Sequence, residues 1–136
     1  MKTFLLILFF GKSVLLTSTP IDLGASWTVI EFSKPISAIT GGAALSVDVT
    51  TEIGYKTNFE AMRKQLPDHT ILAELVPERG ETIVLSNSSF RHSNKDVSAI
   101  LNPVSAIPAG VKFKRLRIRS TKLIRNVSLT WNNYKQ

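Results

Sequence analysis

From residue 27 onward, apolar and polar residues alternate with a period of two in short runs separated by turn residues, which is the signature of half-buried β-strands. In SWTVIEF, Trp27, Val29 and Glu31 oppose Thr28, Ile30 and Phe32. In AALSVDVTTEI, Leu45, Val47 and Val49 share one face, opposite Ser46, Asp48 and Thr50. TILAELV and ETIVLS flank Pro77-Glu78-Arg79-Gly80, whose proline and closing glycine suit a tight reversal, so the two runs predict a hairpin. DVSAIL predicts a further strand, and two more follow the Pro103 to Gly110 connection, one on each side of Thr121-Lys122. In the last, NVSLTWNNY, Val127, Leu129 and Trp131 point inward against Asn126, Ser128 and Thr130. Both tryptophans, Trp27 and Trp131, are expected in the core.

One segment breaks the pattern. TNFEAMRKQLPD offers Thr57 or Asn58 as an N-cap, spaces Phe59, Met62 and Leu66 three and four apart, and is closed by Pro67. It predicts a short amphipathic crossover helix near residues 58–66 whose stripe caps the core. Seven or eight short strands with a single helix predict a mainly β fold, an antiparallel two-sheet sandwich of jelly-roll-like type. A parallel α/β fold would need several helices.

The N-terminus reads differently. MKTFLLILFFGKSVLLTSTP opens on Lys2, runs apolar from Phe4 to Phe10 and turns polar at Thr17, the layout of a secretory signal. Lys12 interrupts it, no A-x-A site follows, and Pro20 makes cleavage after Thr19 awkward, with Ser18 the other candidate. Its apolar part, about 14 residues or roughly 21 Å of helix, is short for a bilayer core of about 30 Å. Residues 1–19 are therefore expected to be a signal peptide or signal anchor, and 20–136 a single β-sandwich domain. The expected location is exported, periplasmic or secreted, with membrane attachment through an uncleaved N-terminal segment as the alternative. A hydrophobic first element of a cytosolic domain is the plainer account of the same residues. Gly11-Lys12-Ser13 matches the end of a phosphate-binding P-loop, but Leu6 stands where the motif needs its first glycine.

Composition narrows the chemistry. The chain has 136 residues and no cysteine, which excludes disulfides, thiolate metal sites and cysteine nucleophiles. Its two histidines, His69 and His92, are far apart in sequence, and no nucleophile elbow or metal-ligand spacing accompanies them. Asp68-His69 with the hydroxyls of Ser86, Ser88 and Ser89 is the nearest approach to a catalytic set. Glu74, Glu78 and Glu81 flank the predicted hairpin as solvated carboxylates, and Asp48 with Glu52 lacks the acidic loop of a calcium site. No enzyme activity, cofactor or metal is expected. Tyr55 and Tyr134 are the candidate exposed aromatic contacts. Two sequons, Asn87-Ser88-Ser89 and Asn126-Val127-Ser128, matter only in a eukaryotic secretory pathway.

Charge is the strongest functional signal. Residues 112–136 carry eight cations and no acid, so with a whole-chain charge of +7 residues 1–111 sum to −1. Within VKFKRLRIRS, Phe113, Leu116 and Ile118 go inward, and a β-bulge at Lys114-Arg115 is needed to keep the alternation. Lys112, Lys114, Arg115, Arg117 and Arg119 then form an outward row, the candidate anion-binding site. The alternatives are that the row guards a sheet edge against aggregation, or that Glu31, Asp48 or Glu74 on a neighbouring strand neutralises it. Nucleic acid is disfavoured because Phe113 faces the core and leaves no stacking platform. The expected function is non-catalytic surface contact with an envelope or extracellular partner: a protein, an anionic glycan or a lipid headgroup. A small hydrolytic or sugar-processing enzyme and a purely structural subunit are the alternatives.

Overall fold

The computed structural model describes residues 2–5, 8–10, 13–37, 43–108 and 110–133, the first two segments and residue 133 by backbone alone. The chain is mainly β, with 56% of residues in strands and two short helices, and its antiparallel sheet curls into a half-barrel. In chain order the elements are β1 (Lys2–Leu5), β2 (Leu8–Phe10), β3 (Ser13–Leu15), β4 (Ile21–Leu23), β5 (Thr28–Ser37) and β6 (Ala43–Asp48). The helices α1 (Thr50–Ile53) and α2 (Phe59–Gln65) follow, then β7 (Ile71–Pro77), β8 (Ile83–His92), β9 (Val97–Pro103), β10 (Lys112–Ser120) and β11 (Ile124–Asn133).

The pairing runs as one path, β1-β5-β10-β7-β8-β9-β6-β11-β3-β2, with β4 pairing the first part of β11. A division into two separate sheets is not what this path describes. All partners are antiparallel except β1 with β5. The curl has a local cause in β8. Its pairing with β7 ends at Ser86, opposite Leu72, and the register with β9 shifts between Asn87 and Ser89. An extra residue at that point bends the strand, so β8 leaves one neighbour and continues with the other. Strands β5, β10 and β7 form one arm of the curl, and β6, β11 and β3 the other. Consecutive strands β10 and β11 lie in different arms, and residues 121–123 carry the chain between them.

Alternation then fills the space between the arms. Phe113, Leu116 and Ile118 of β10, Leu75 of β7, Leu45 and Val47 of β6, and Leu129 and Trp131 of β11 are at most 1% exposed and belong to one core. The predicted β7–β8 hairpin forms, with Leu75 opposite Ile83 and Gly80 at φ 102° in its loop.

Two expectations are corrected in the helical region. The run AALSVDVTTEI does not stay extended to Ile53, because Asp48 Oδ1 accepts both the Thr50 amide at 3.0 Å and the Thr50 hydroxyl at 2.6 Å. This local turn ends β6 and starts α1. Helix α2 begins as expected, with the Asn58 side chain accepting from the Ala61 amide at 2.8 Å. Met62 and Leu66 are buried, but Phe59 is 52% exposed. At the first helical position the chain has not yet reached the core, and Phe59 lies edge-on to His92 with ring centroids 6.0 Å apart.

The N-terminal segment contributes to the sheet. Residues 2–5 pair with β5, and β3 lies against β11 with Val14 opposite Trp131. Beyond β3, the Leu16 amide donates to the Leu129 carbonyl at 2.9 Å, and the Leu129 amide donates to Thr17 Oγ1 at 3.1 Å. Leu16 is fully buried and Thr17 is 3% exposed, while Ser18 is exposed. Leu16→Ala is expected to lower unfolding free energy by about 2–5 kcal/mol in urea titrations of the full chain, and Ser18→Ala to stay within about 0.5 kcal/mol.

Candidate functional site

The basic row lies on β10, an interior strand between β5 and β7. Protection of an open edge therefore does not account for its cations. The bulge that alternation demanded is present in both pairings. Against β7, Phe113 faces Pro77 and Arg115 faces Val76, so Lys114 is the extra residue. Against β5, Phe113 faces Ile36 and Arg115 faces Glu31, so Phe32 to Pro35 stand where β10 has only Lys114. Phe32 turns into the core, and Ser33, Lys34 and Pro35 are exposed. The sequence reading missed Lys34 as a member of this surface. Pro35 within an otherwise extended run was the available signal, since proline in a strand marks an edge or a bulge.

The row is divided rather than uniform. Arg115 is opposite Glu31 in register, and its Nε stands 3.2 Å from Glu31 Oε1. That contact is an ion pair without an aligned hydrogen bond, since Arg115 Nε has no hydrogen-bond partner. Arg117 is opposite Glu74, and its Nη2 donates to both carboxylate oxygens at 2.9 and 3.1 Å. The Glu74 side chain is only 19% exposed, so of the two pairs this one is less screened by water. Asp48, the third candidate acid, is engaged with Thr50 instead.

Trp27 completes the face and corrects its expected place in the core. It is half-buried on the outer side, with the guanidinium carbons of Arg117 and Arg119 each 4.6 Å from its ring centroid. Period two already put Trp27 with Val29 and Glu31, on the side opposite Ile30 and Phe32. Size and hydrophobicity suggested burial, but the two arginines across the strand offered a cation–π surface there. Lys112, Lys114 and Arg119 are exposed, and among the described residues no acid lies within ion-pair distance of them.

The remaining candidates separate cleanly. Tyr55 is 40% exposed, with Lys56 Nζ 6.0 Å from its ring, while Tyr134 lies outside the described residues. His92 Nε2 donates to the Tyr55 carbonyl, which ties the end of β8 to the loop before α2. His69, in a turn at φ 66°, shares a hydrogen bond through Nδ1 with Ser86 Oγ. A histidine and a serine thus meet, but Ser86 is 4% exposed beneath the loop that carries His69. That loop is held by Asn87, whose Oδ1 accepts from the Ile71 amide at 2.7 Å and whose Nδ2 donates to the Pro67 carbonyl at 3.0 Å. Asn87 is fully buried, so its sequon is closed in the folded chain, whereas Asn126 is exposed. The Glu52 carboxylate accepts from the Arg125 amide at 3.1 Å. Among the described residues no three His, Asp or Glu side chains gather as metal ligands.

No family model, no curated protein and no solved structure matches the chain.

Two measurements test this geometry. Deleting Lys114 removes the extra residue and leaves Phe113, Leu116 and Ile118 in phase, so stability is expected to change by no more than about 1 kcal/mol. Deleting Arg117 reverses the phase of Ile118 and should abolish cooperative unfolding. A double-mutant cycle between Glu74→Ala and Arg117→Ala should give a coupling of about 1 kcal/mol that shrinks with salt, larger than that between Glu31→Ala and Arg115→Ala.

Proposed function

We propose that the protein acts without chemistry of its own, by surface contact with an anionic partner, and that Lys112, Lys114 and Arg119 make the contact. The observation that carries this is the division of the basic row. Arg115 and Arg117 have carboxylates in register, whereas Lys112 before the bulge and Lys114 within it have none, and Lys34 emerges beside them. Unpaired cations held on a rigid strand keep a local positive potential that paired ones lose. Arg115 and Arg117 support this surface by holding the strand to its neighbours. Sulfated or uronic glycans, lipid headgroups and acidic protein surfaces all present the required charge.

An exported location remains part of the proposal, resting on Lys2 and the apolar run from Phe4. Within it, β3, Leu16 and Thr17, which complete the edge of β11, support an N-terminal segment that stays uncleaved, while membrane attachment through it rests on the apolar run alone. Among the described residues no helix is long and apolar enough to cross a membrane. The jelly-roll-like character of the fold is supported by the crossing of β10 to β11 between the two arms. The hydrolytic alternative rests on the contact of His69 with Ser86 and requires the 66–70 loop to open.

The double variant Lys112→Glu/Lys114→Glu, at two exposed positions, should elute from heparin and release from anionic liposomes at clearly lower salt than the parent. Its unfolding midpoint should be unchanged. Equal retention of variant and parent on both supports would sink the proposal.

A further inference from the structure

The outward face of the other arm differs from the basic row in side-chain size. Asp48 of β6 stands opposite Ser98 of β9 on one side and Ser128 of β11 on the other, and Ser46 stands opposite Thr130. Central strands of a sheet usually cover their wet face with long side chains, and these positions carry short ones. The result is a hollow of about 210 Å³, rimmed by Arg91 of β8 and Asp96 of the β8–β9 turn.

The polar groups in the hollow are held in place. Ser13 Oγ donates to Asn132 Oδ1 at 2.8 Å, and Asn132 Nδ2 donates to Ser46 Oγ at 2.7 Å. Ser46 is 8% exposed and Asn132 is 4% exposed. Ser46 lines the hollow and accepts in this chain, which does not use its own hydroxyl proton. Asp48 accepts both Thr50 bonds on Oδ1, which leaves Oδ2 as an acceptor. Arg91 is exposed, and among the described residues no acid lies within ion-pair distance of it. Donors and acceptors therefore interleave across neighbouring strands at about 4.8 Å.

We propose that this hollow is a binding site for a neutral saccharide, taking one hexose ring. The ring's hydroxyls would be met by Ser46, Asp48, Ser98 and Ser128, with Arg91 closing the rim. Each sugar hydroxyl both donates and accepts, which suits a lining in which serine hydroxyls do the same and which also holds carboxylates and a guanidinium. The two carboxylates, Asp48 and Asp96, select against phosphate, sulfate and uronate. This separates the site from the basic row on the other arm, and the proposal does not depend on that surface. Among the described residues no aromatic ring lines the hollow, so the expected dissociation constant is on the order of millimolar.

The test is an amide NMR titration of the full chain with glucose, galactose and N-acetylglucosamine, with glycerol at matched hydroxyl concentration as control. At least one sugar should produce saturable shifts centred on residues 46–48, 98 and 128–130, with none from glycerol. Arg91→Ala and Ser98→Val, both at outward positions, should each raise the dissociation constant about three- to tenfold, the weight of one hydrogen bond. The unchanged remainder of the spectrum verifies folding of each variant. The proposal is overturned by no saturable shift from any of the three sugars, by equal shifts with glycerol, or by unchanged affinity in both variants.

Discussion

A strand that buries every second side chain tolerates an extra residue only if that residue is pushed out of the pleat. In β10 this constraint falls on Lys114. Phe113 lies on one side of it and Leu116 and Ile118 on the other, and all three are fully buried. Because β10 sits between β5 and β7, both neighbours must answer the irregularity. β7 steps from Pro77 to Val76 across it, and β5 lets Ser33, Lys34 and Pro35 stand out. Phase is restored in time for Arg115 to meet Glu31 and Arg117 to meet Glu74.

The same constraint shapes the surface chemistry. Beyond the bulge, in-register carboxylates pair Arg115 and Arg117, while Arg119 lies over the Trp27 ring and keeps its charge exposed. At the bulge the cations have no such partners: Lys114 is out of register with both neighbours, and Lys112 stands opposite Ser37. Charge that looks uniform along the sequence is therefore left unpaired at the two ends of the strand, Lys112 and Lys114 at one and Arg119 at the other. The other arm carries short polar side chains where this one carries long charged ones, and its outer face is hollow instead of ridged.

Much of this was legible from local pattern. The inward set of β10, the bulge, the β7–β8 hairpin, the inward face of β11 and a helix cap at Thr57 or Asn58 all follow from period, turn chemistry and capping, which act within a few residues. Glu31 and Glu74 were legible only as candidates, because pairing depends on which strands become neighbours. Phe59 was misplaced because helical spacing gives a stripe but not how far along it the core extends. Trp27 was misplaced because a large ring has two ways to leave water, burial among apolar groups or stacking on cations, and period alone indicated the second. The end of β6 at Asp48 was missed although an aspartate two residues before a threonine is a known local turn former.

The sequence by itself determined that this is a β protein, which face of most strands turns inward, where its cations cluster and that a short helix lies near residues 58–66. These depend on hydrophobic period and short-range hydrogen bonding, and they are set before any distant contact forms. Only the tertiary structure decided that β10 is interior, that β10 and β11 lie in different arms, that residues 13–17 complete the edge of β11, and that Ser46, Asp48, Ser98 and Ser128 border one hollow. Each of those depends on the order of strands across the curl, and many orders bury the same alternating residues equally well. Which hydroxyls and charges meet is thus a property of topology.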